Sequence, residues 1–311
     1  MTKEAYLQIS EKIAPYIHRT PVMTSQLINE IAGCEVFFKC ENFQKMGAFK
    51  MRGATNAILN LSEEQRAKGV VTHSSGNFAQ ALSLAARSLG VKAFIVMPSS
   101  APKVKIQAVK GYGGIVTICP PTLKDREESA QTIQNEKGAS FLHPSNDDDV
   151  IFGQGTAALE LLEEQPNLDA IITPVGGGGL LGGTALAASL FAPDCKVYAG
   201  EPFEADDAFR SLKSGKIESN DSVDTIADGL KTQLGDRNFP IIQQHVKDIF
   251  LVDEDEILAA LKLIWTRMKI IVEPSSAVAF AALLKHKLDF KNQQVGIIIS
   301  GGNVDLENLP F

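Results

Sequence analysis

Residues 69–145 alternate between short apolar, β-branched runs and longer stretches with helical spacing. "GVVTHSS" (69–75) leads into "GNFAQALSLAARSLG" (76–90), which carries a glycine where a helix C-terminal cap belongs. Then come "KAFIVMP" (92–98), "APKVKIQAVKGYG" (101–113), "GIVTIC" (114–119), "TLKDREESAQTIQNEKG" (122–138) and "ASFLHP" (139–144). A chain that switches period this way is confined to βαβ units: parallel strands whose two faces are covered by the intervening helices. The rhythm resumes with helix-like "TAALELLEEQP" (156–166), strand-like "LDAIITPV" (168–175), a glycine run, helix-like "TALAASLFA" (184–192) and strand-like "KVYAGEP" (196–202). It closes with helical spacing around 254–269 and 274–286 and the strand-like "VGIIIS" (295–300). The pattern predicts an α/β protein, and no repeat of solenoid period interrupts it.

Bulk properties exclude several classes. With a net charge of −7 over 311 residues, the chain lacks the basic balance of a phosphate-backbone binder, so no nucleic-acid partner is expected. Cys34, Cys40, Cys119 and Cys195 show no CxxC spacing, which argues against a zinc ribbon or a disulfide framework and for reduced thiols. No apolar run approaches the roughly 18 residues of a membrane span, and the N-terminus has no signal-peptide core. A cytoplasmic protein without a membrane partner is expected. His18, His73, His143, His245 and His286 lack ligand spacing and read as structural or surface residues.

Three strand ends carry glycines and small polar residues. "DAIITPVGGGGLLGGTALAASL" runs a buried strand into Gly176, Gly177, Gly178 and Gly179, with a helix after them. Glycines let successive backbone N–H groups crowd one anion while the helix N-terminus adds partial positive charge, so this run reads as a phosphate cup. The plain alternative is a tight strand–helix turn. GK[ST] is absent, and no acidic residue lies at a well-placed second strand end, so a small phosphorylated cofactor fits better than a nucleotide. "HSSGNFAQ" (73–80) puts Ser74, Ser75, Gly76 and Asn77 at a helix N-terminus, where a carboxylate could bind; taken alone, the loop is better explained by ordinary capping by serine and asparagine. "IIISGGNVD" ends a strand at Ser300 and follows it with two glycines. Ligands in open α/β sheets collect at such ends. Lys50, between Phe49 and Met51, is a cation in a segment that otherwise looks packed away, which is costly unless the amine is paired, neutralised or used.

Together these parts resemble the fold-type II pyridoxal-phosphate enzymes. "GAFKMRGA" is similar to their lysine motif, "SSGNFAQA" to their substrate-carboxylate loop and "GGGGL" to their phosphate loop. "VYAGEPFEADDA", "TIADGL", "TRMK", "VEPSSAV" and "SGGNVDL" resemble the serine racemases and short serine/threonine dehydratases, in order and over nearly the whole chain. The resemblance implies a tryptophan synthase β-like fold of two open, twisted parallel-sheet lobes with flanking helices. Residues 1–68 and 146–311 would form the large cofactor lobe and 69–145 the small substrate lobe. It also implies that Lys50 joins pyridoxal 5'-phosphate covalently and handles the substrate Cα proton, that Gly176–Gly179 hold the phosphate, that Asn77 meets the ring hydroxyl and that Ser300 meets the ring nitrogen. Ser74, Ser75, Gly76 and Asn77 would take the substrate carboxylate, with Ser75 a second acid/base on the opposite face.

By the same resemblance, Glu201, Asp207 and the Ala205 carbonyl would bind Mg²⁺, or Ca²⁺ or Mn²⁺; an acidic solvated loop is the alternative. Arg126 would face a second substrate carboxylate or simply pair with acidic helix neighbours, and Tyr112 would help close the small lobe. The implied activity is dehydration of L-serine and L-threonine to pyruvate and 2-oxobutanoate with ammonia release, serine racemisation remaining open; the alternative is threo-3-hydroxyaspartate dehydration to oxaloacetate. The implied assembly is a homodimer, with no regulatory domain after Phe311. A β-replacement synthase usually reads TSGNTG at the substrate loop, unlike this chain, and a non-catalytic metabolite sensor would lack the cofactor. Phe78, Met46 and Ala48 depart from the family pattern and leave side-chain preference and nucleotide activation open.

Overall fold

The computed structural model describes residues 1–310. Its strands are β1 (Val22–Met23), β2 (Glu35–Cys40), β3 (Val70–His73), β4 (Ala93–Pro98), β5 (Ile115–Cys119), β6 (Ser140–Phe141), β7 (Ala170–Pro174), β8 (Lys196–Pro202), β9 (Val246–Val252) and β10 (Gln294–Ile299). They form two sheets, a six-stranded one in the order β1-β2-β10-β7-β8-β9 and a four-stranded one in the order β5-β4-β3-β6. Pairing is parallel except at the short edge strand β1, which runs antiparallel to β2. Every residue of the central strand β7 is buried, as expected where helices cover both faces of a sheet. No helix among the described residues is long and apolar enough to cross a membrane.

Several boundaries differ from the sequence expectation, each for a local reason. The helix expected from about 156 starts at Asp148, because the Asp147 side chain accepts from the N–H groups of Asp149 and Val150 and caps it. The helix expected from 184 starts at Gly179, inside the glycine run. The helical stretch expected to about 269 is α-helical only for Glu254–Leu263; a π-helical turn, Ile264–Met268, follows and ends at Lys269 with φ +61°. The strand expected at 139–144 stops at Phe141, and the chain turns where His143 Nδ1 accepts from Ser145 N (3.2 Å) and Asn146 N (2.8 Å). β1, β2 and β9 carry no clear period in the sequence; in β9, exposed Lys247 interrupts the apolar pattern.

Two buried features hold the scaffold. Helices Asp148–Glu164 and Gly179–Phe191 approach so closely that a Cβ on Gly183 would lie 2.3 Å from the Ile151 carbonyl oxygen and 2.7 Å from Gly155 N. Backbone cannot give way there as a flexible side chain would. Gly183→Ala is therefore expected to cost about 1–3 kcal/mol in urea unfolding; an unchanged midpoint would mean that the helices separate freely. The second feature is a charge cluster. Fully buried Arg52 donates to both Glu41 oxygens (Nε and Nη2, 2.8 Å each) and to both Glu160 oxygens (Nη1 2.7 Å, Nη2 2.8 Å). Buried Lys39 pairs with Glu160 (2.7 Å) and donates to the Thr20 carbonyl (2.6 Å). Two buried cations meet two buried carboxylates, so the buried set is neutral, with part-exposed Glu164 3.7 Å from Lys39 at its edge.

Candidate active site

Lys50 opens the helix Lys50–Asn60, and the segment before it is stitched to the end of β10. Phe49 N donates to the Ser300 carbonyl (3.0 Å), Gly302 N donates to the Gly47 carbonyl (2.8 Å), and Ala48 bridges Gly301. Sequence-distant Lys50 and Ser300 are thereby neighbours. The Lys50 amine is half-buried and donates to the Pro144 carbonyl (2.7 Å), with its nitrogen 4.9 Å from the Phe49 ring centre and 5.9 Å from that of Phe78. Desolvation by these groups brings its pKa down to about 8, against the weaker opposing pull of the Glu273 carboxylate. Such an amine is a usable nucleophile and base near neutral pH.

The glycine run lies against the loop that carries Pro144. Gly178 has φ +77° and is the N-cap of the helix that Gly179 begins. A Cβ on Gly177 would sit 2.4 Å from Ser145 Oγ, and one on Gly178 would sit 2.6 Å from Asn238 Oδ1. Asn238 Nδ2 donates to the carbonyls of Gly177 (2.8 Å) and Ser145 (3.1 Å) and fixes that arrangement. Side chains would fill this cradle, and the N–H groups at a helix start are the natural partners of a phosphate. The run and the lysine share one loop, 143–146, so they face a single cleft. That geometry fits a small molecule with an electrophilic head and a phosphate tail.

The remaining expected residues gather at the same place. Ser74, Ser75 and Gly76 connect β3 to the helix Asn77–Ser88, and Gly76 N donates to Ser74 Oγ (3.4 Å). Asn77 Nδ2 donates to both oxygens of Glu273 (2.9 and 3.0 Å), while Asn77 Oδ1 accepts from Asn303 Nδ2 (2.9 Å). Buried Ser300 has its Oγ 3.0 Å from Ser276 Oγ, which donates to the Gly301 carbonyl (2.7 Å). Arg126 lies on the helix Leu123–Lys137 beside the end of β3. Its guanidinium adds to the burial that lowers the His73 pKa, and its buried Nε has no hydrogen-bond partner.

Glu201, the residue of β8 just before Pro202, and Asp207, which starts the helix Asp207–Ser214, lie together. Glu201 accepts from Ala208 N (2.9 Å) and Phe209 N (2.8 Å); Asp207 accepts from Leu234 N (3.1 Å) and Asn220 Nδ2 (2.9 Å). Burial, then the Asp207 charge, raises Glu201 well above the carboxylate range, and burial pushes Asp207 up to about 6. No cluster of three His, Cys, Asp or Glu side chains suited to a metal occurs among the described residues, so a third protein ligand would be another kind of oxygen donor, such as the carbonyl expected of Ala205 in the turn Phe203–Ala205. Two adjacent buried carboxylates form an oxygen donor set that a hard cation would relieve. Leu234 also lies against the cradle: a Cβ on Gly178 would be 2.6 Å from Leu234 Cδ2.

Sequence reasoning gives no site role to Glu273, Ser145 or Asn238, and reads His143 as a structural or surface residue. Burial pushes Glu273 up to about 7 and His143 down to about 4, and the charge of Lys50 contributes to the latter. Glu273 has a sequence signal, since it lies in "VEPSSAV" beside a helix-starting proline; the other three reach the site only through folding.

The family model described as "Pyridoxal-phosphate dependent enzyme" matches residues 13–301. A serine racemase of Dictyostelium discoideum is 53% identical over 311 residues, covering 99% of this chain and 95% of its own, and its crystal structure superposes with a TM-score of 0.95. A beta-hydroxyaspartate dehydratase of Paracoccus denitrificans is 49% identical over 310 residues, covering 100% of this chain and 98% of its own. The crystal structure of a threonine deaminase from T.th. superposes with a TM-score of 0.93 at 42% identity, covering 98% of this chain and 99% of that one. Likeness of that extent in sequence and in backbone decides membership: the chain belongs to the pyridoxal-phosphate dependent enzymes of fold type II, in the branch of racemases and ammonia-lyases.

Proposed function

We propose that this enzyme dehydrates β-hydroxy amino acids, L-serine and L-threonine, to the keto acid and ammonia, with serine racemisation at the same site. The observation that carries the reading is the desolvated Lys50 amine, held by Pro144 in a cleft shared with the glycine cradle. Pyridoxal phosphate, when bound, supplies the electron sink that acidifies the substrate Cα–H. Gly176–Gly179 would hold its phosphate through N–H groups, with Asn77 the residue for its ring hydroxyl and Ser300 the residue for its ring nitrogen. As a neutral hydroxyl already engaged with Ser276, Ser300 brings no charge to that nitrogen. Backbone and hydroxyl groups of Ser74–Asn77 hold the substrate carboxylate. Lys50 Nζ takes the Cα proton from one face, and Ser75 Oγ carries a proton on the other.

A second reading, threo-3-hydroxyaspartate dehydration, is favoured by the unpartnered Nε of Arg126, since a guanidinium fork suits a second carboxylate. Names among the relatives point both ways: serine racemase on one side, beta-hydroxyaspartate dehydratase and L-threo-3-hydroxyaspartate ammonia-lyase on the other. Keto-acid release from serine, threonine and the hydroxyaspartate diastereomers separates them. A preference above tenfold for hydroxyaspartate that Arg126→Gln removes would establish the second reading; a serine or threonine preference untouched by that substitution establishes the first.

Glu201, Asp207 and the Ala205 carbonyl are assigned to a divalent cation, Mg²⁺ in the first instance. Mg²⁺ at about 100 times its Kd is expected to add about 2.7 kcal/mol of stability. A chelator should reverse the gain and Glu201→Gln abolish it; an equal gain in that variant would place the ion elsewhere. Division into lobes at 69–145 and 1–68 with 146–311 is supported by the two separate sheets. The four free cysteines agree with a cytoplasmic setting, and a homodimer is the assembly we assign.

A further inference from the structure

We infer that Glu273 is a positioning residue for the cofactor, holding the Asn77 carboxamide with its nitrogen edge toward Glu273 and its oxygen edge toward Asn303. The inference rests on the assignment of Asn77 to the cofactor ring made above. A carboxamide has one donor edge and one acceptor edge, and only its partners decide which way it faces. Here each edge has a protein partner, and Oδ1 keeps a second lone pair for a further bond. Asn77 Nδ2 donates to the two Glu273 oxygens at 2.9 and 3.0 Å. Asn303 Nδ2 donates to Asn77 Oδ1 at 2.9 Å and to the Met46 carbonyl at 3.0 Å. Turning the amide over would set oxygen against carboxylate and nitrogen against nitrogen, losing both bonds at once.

Glu273 is not engaged in the ordinary work of an acidic residue at its position. It immediately precedes the helix Pro274–Lys285, yet its side chain makes no capping bond to that helix. It is buried, its N–H donates to the Gly301 carbonyl (3.1 Å), and a Cβ on Gly301 would lie 3.0 Å from its Oε1. A carboxylate seated that tightly against the strand end of Ser300 has little freedom to rotate. Asn77 starts a helix that follows a strand of the four-stranded sheet, whereas Glu273 and Asn303 flank the six-stranded one. The same bond therefore ties the two sheets together across the cleft. The charges bearing on the carboxylate are Lys50 from the lysine helix, Asp228 from the turn Asp228–Leu230, and Lys105 from the helix Lys103–Gly111, the last two paired with each other.

Replacement by glutamine keeps the size of the side chain but removes the charge and turns one acceptor into a donor facing Asn77 Nδ2. The test compares the holoenzyme with Glu273→Gln, Glu273→Asp and Asn77→Ala. It reads the ratio of the absorbance bands of the ionised and neutral cofactor ring hydroxyl and the dissociation constant of the cofactor, with thermal stability measured alongside. Glu273→Gln is expected to shift the band ratio and weaken cofactor retention at least tenfold, as Asn77→Ala does, while Glu273→Asp restores the ratio at least halfway. Wild-type ratio and retention in Glu273→Gln, with both changed in Asn77→Ala, overturn the inference; so does a Glu273→Asp protein no better than the glutamine variant. An unchanged Asn77→Ala protein would instead overturn the assignment of Asn77 beneath it. Should Glu273→Gln fail to fold, Asn303→Ala removes the partner of the other amide edge, and an unchanged band ratio in that variant overturns the inference too.

Discussion

Lys50→Ala is expected to yield a folded protein whose keto-acid release falls by at least about a thousandfold, since a positioned proton-transfer group alone contributes 10²–10⁴. Borohydride reduction followed by peptide mass mapping should find a pyridoxyl group on Lys50 in the parent and none in the variant. An adduct on a different lysine, or a variant that keeps more than a tenth of the parent's rate, would sink the assignment. A pH dependence follows from the lowered amine. The Lys50 pKa of about 8 means that the amine passes from ammonium to free base as pH rises through 8, whereas an unperturbed lysine does so near 10.4. The rate at which apoprotein takes up pyridoxal phosphate should therefore climb through pH 8 and level off above it. A climb centred near 10 would show that burial leaves the amine unperturbed.

Arg52→Leu should be the most damaging substitution outside the cleft. It removes the cation that four hydrogen bonds tie to Glu41 and Glu160. Lys39 still faces Glu160, but Glu41 keeps only the Thr20 hydroxyl (2.5 Å) as a side-chain partner. Breaking a buried ion pair from one side costs about 3–5 kcal/mol, because the abandoned charge keeps its desolvation penalty. Urea unfolding at neutral pH measures this, and a loss below 1 kcal/mol would show that water reaches the cluster. Arg52 lies on the same helix as Lys50, so the surviving folded fraction should also hold the cofactor more weakly. Lys39, Glu41 and Arg52 look like surface charges in the chain, although Lys39 interrupts the apolar run from Val36 to Cys40. They are buried because they meet one another and Glu160, which lies more than 100 positions from Arg52.

The alternation over 69–145 was legible because strand and helix periods are written in adjacent residues, and β3, β4 and β5 appear close to where that alternation puts them. The glycine run was legible for a related reason: Cβ atoms there would meet Leu230, Ser145 and Asn238, and that close packing is visible as four glycines after a strand. Boundaries were less legible wherever a cap decided them, as when Asp147 starts a helix well before its apolar stripe begins. β9 was not legible, since a register shift between Val197 and Tyr198 leaves Lys247 without a partner and breaks the alternation that a half-buried strand would otherwise show.

By itself, then, the chain determined its architecture, the place of Lys50 at a helix start and the glycine turn after a strand, because each depends on residues adjacent or periodic along the backbone. Tertiary structure alone decided what surrounds that lysine: the Pro144 carbonyl on its nitrogen, the carboxylate of Glu273 behind Asn77, and the free edge of Arg126 at the end of β3. Desolvation and charge act through space, falling off over a few ångströms rather than a few residues, so a pKa or an amide's orientation is set by neighbours that the linear order keeps far apart.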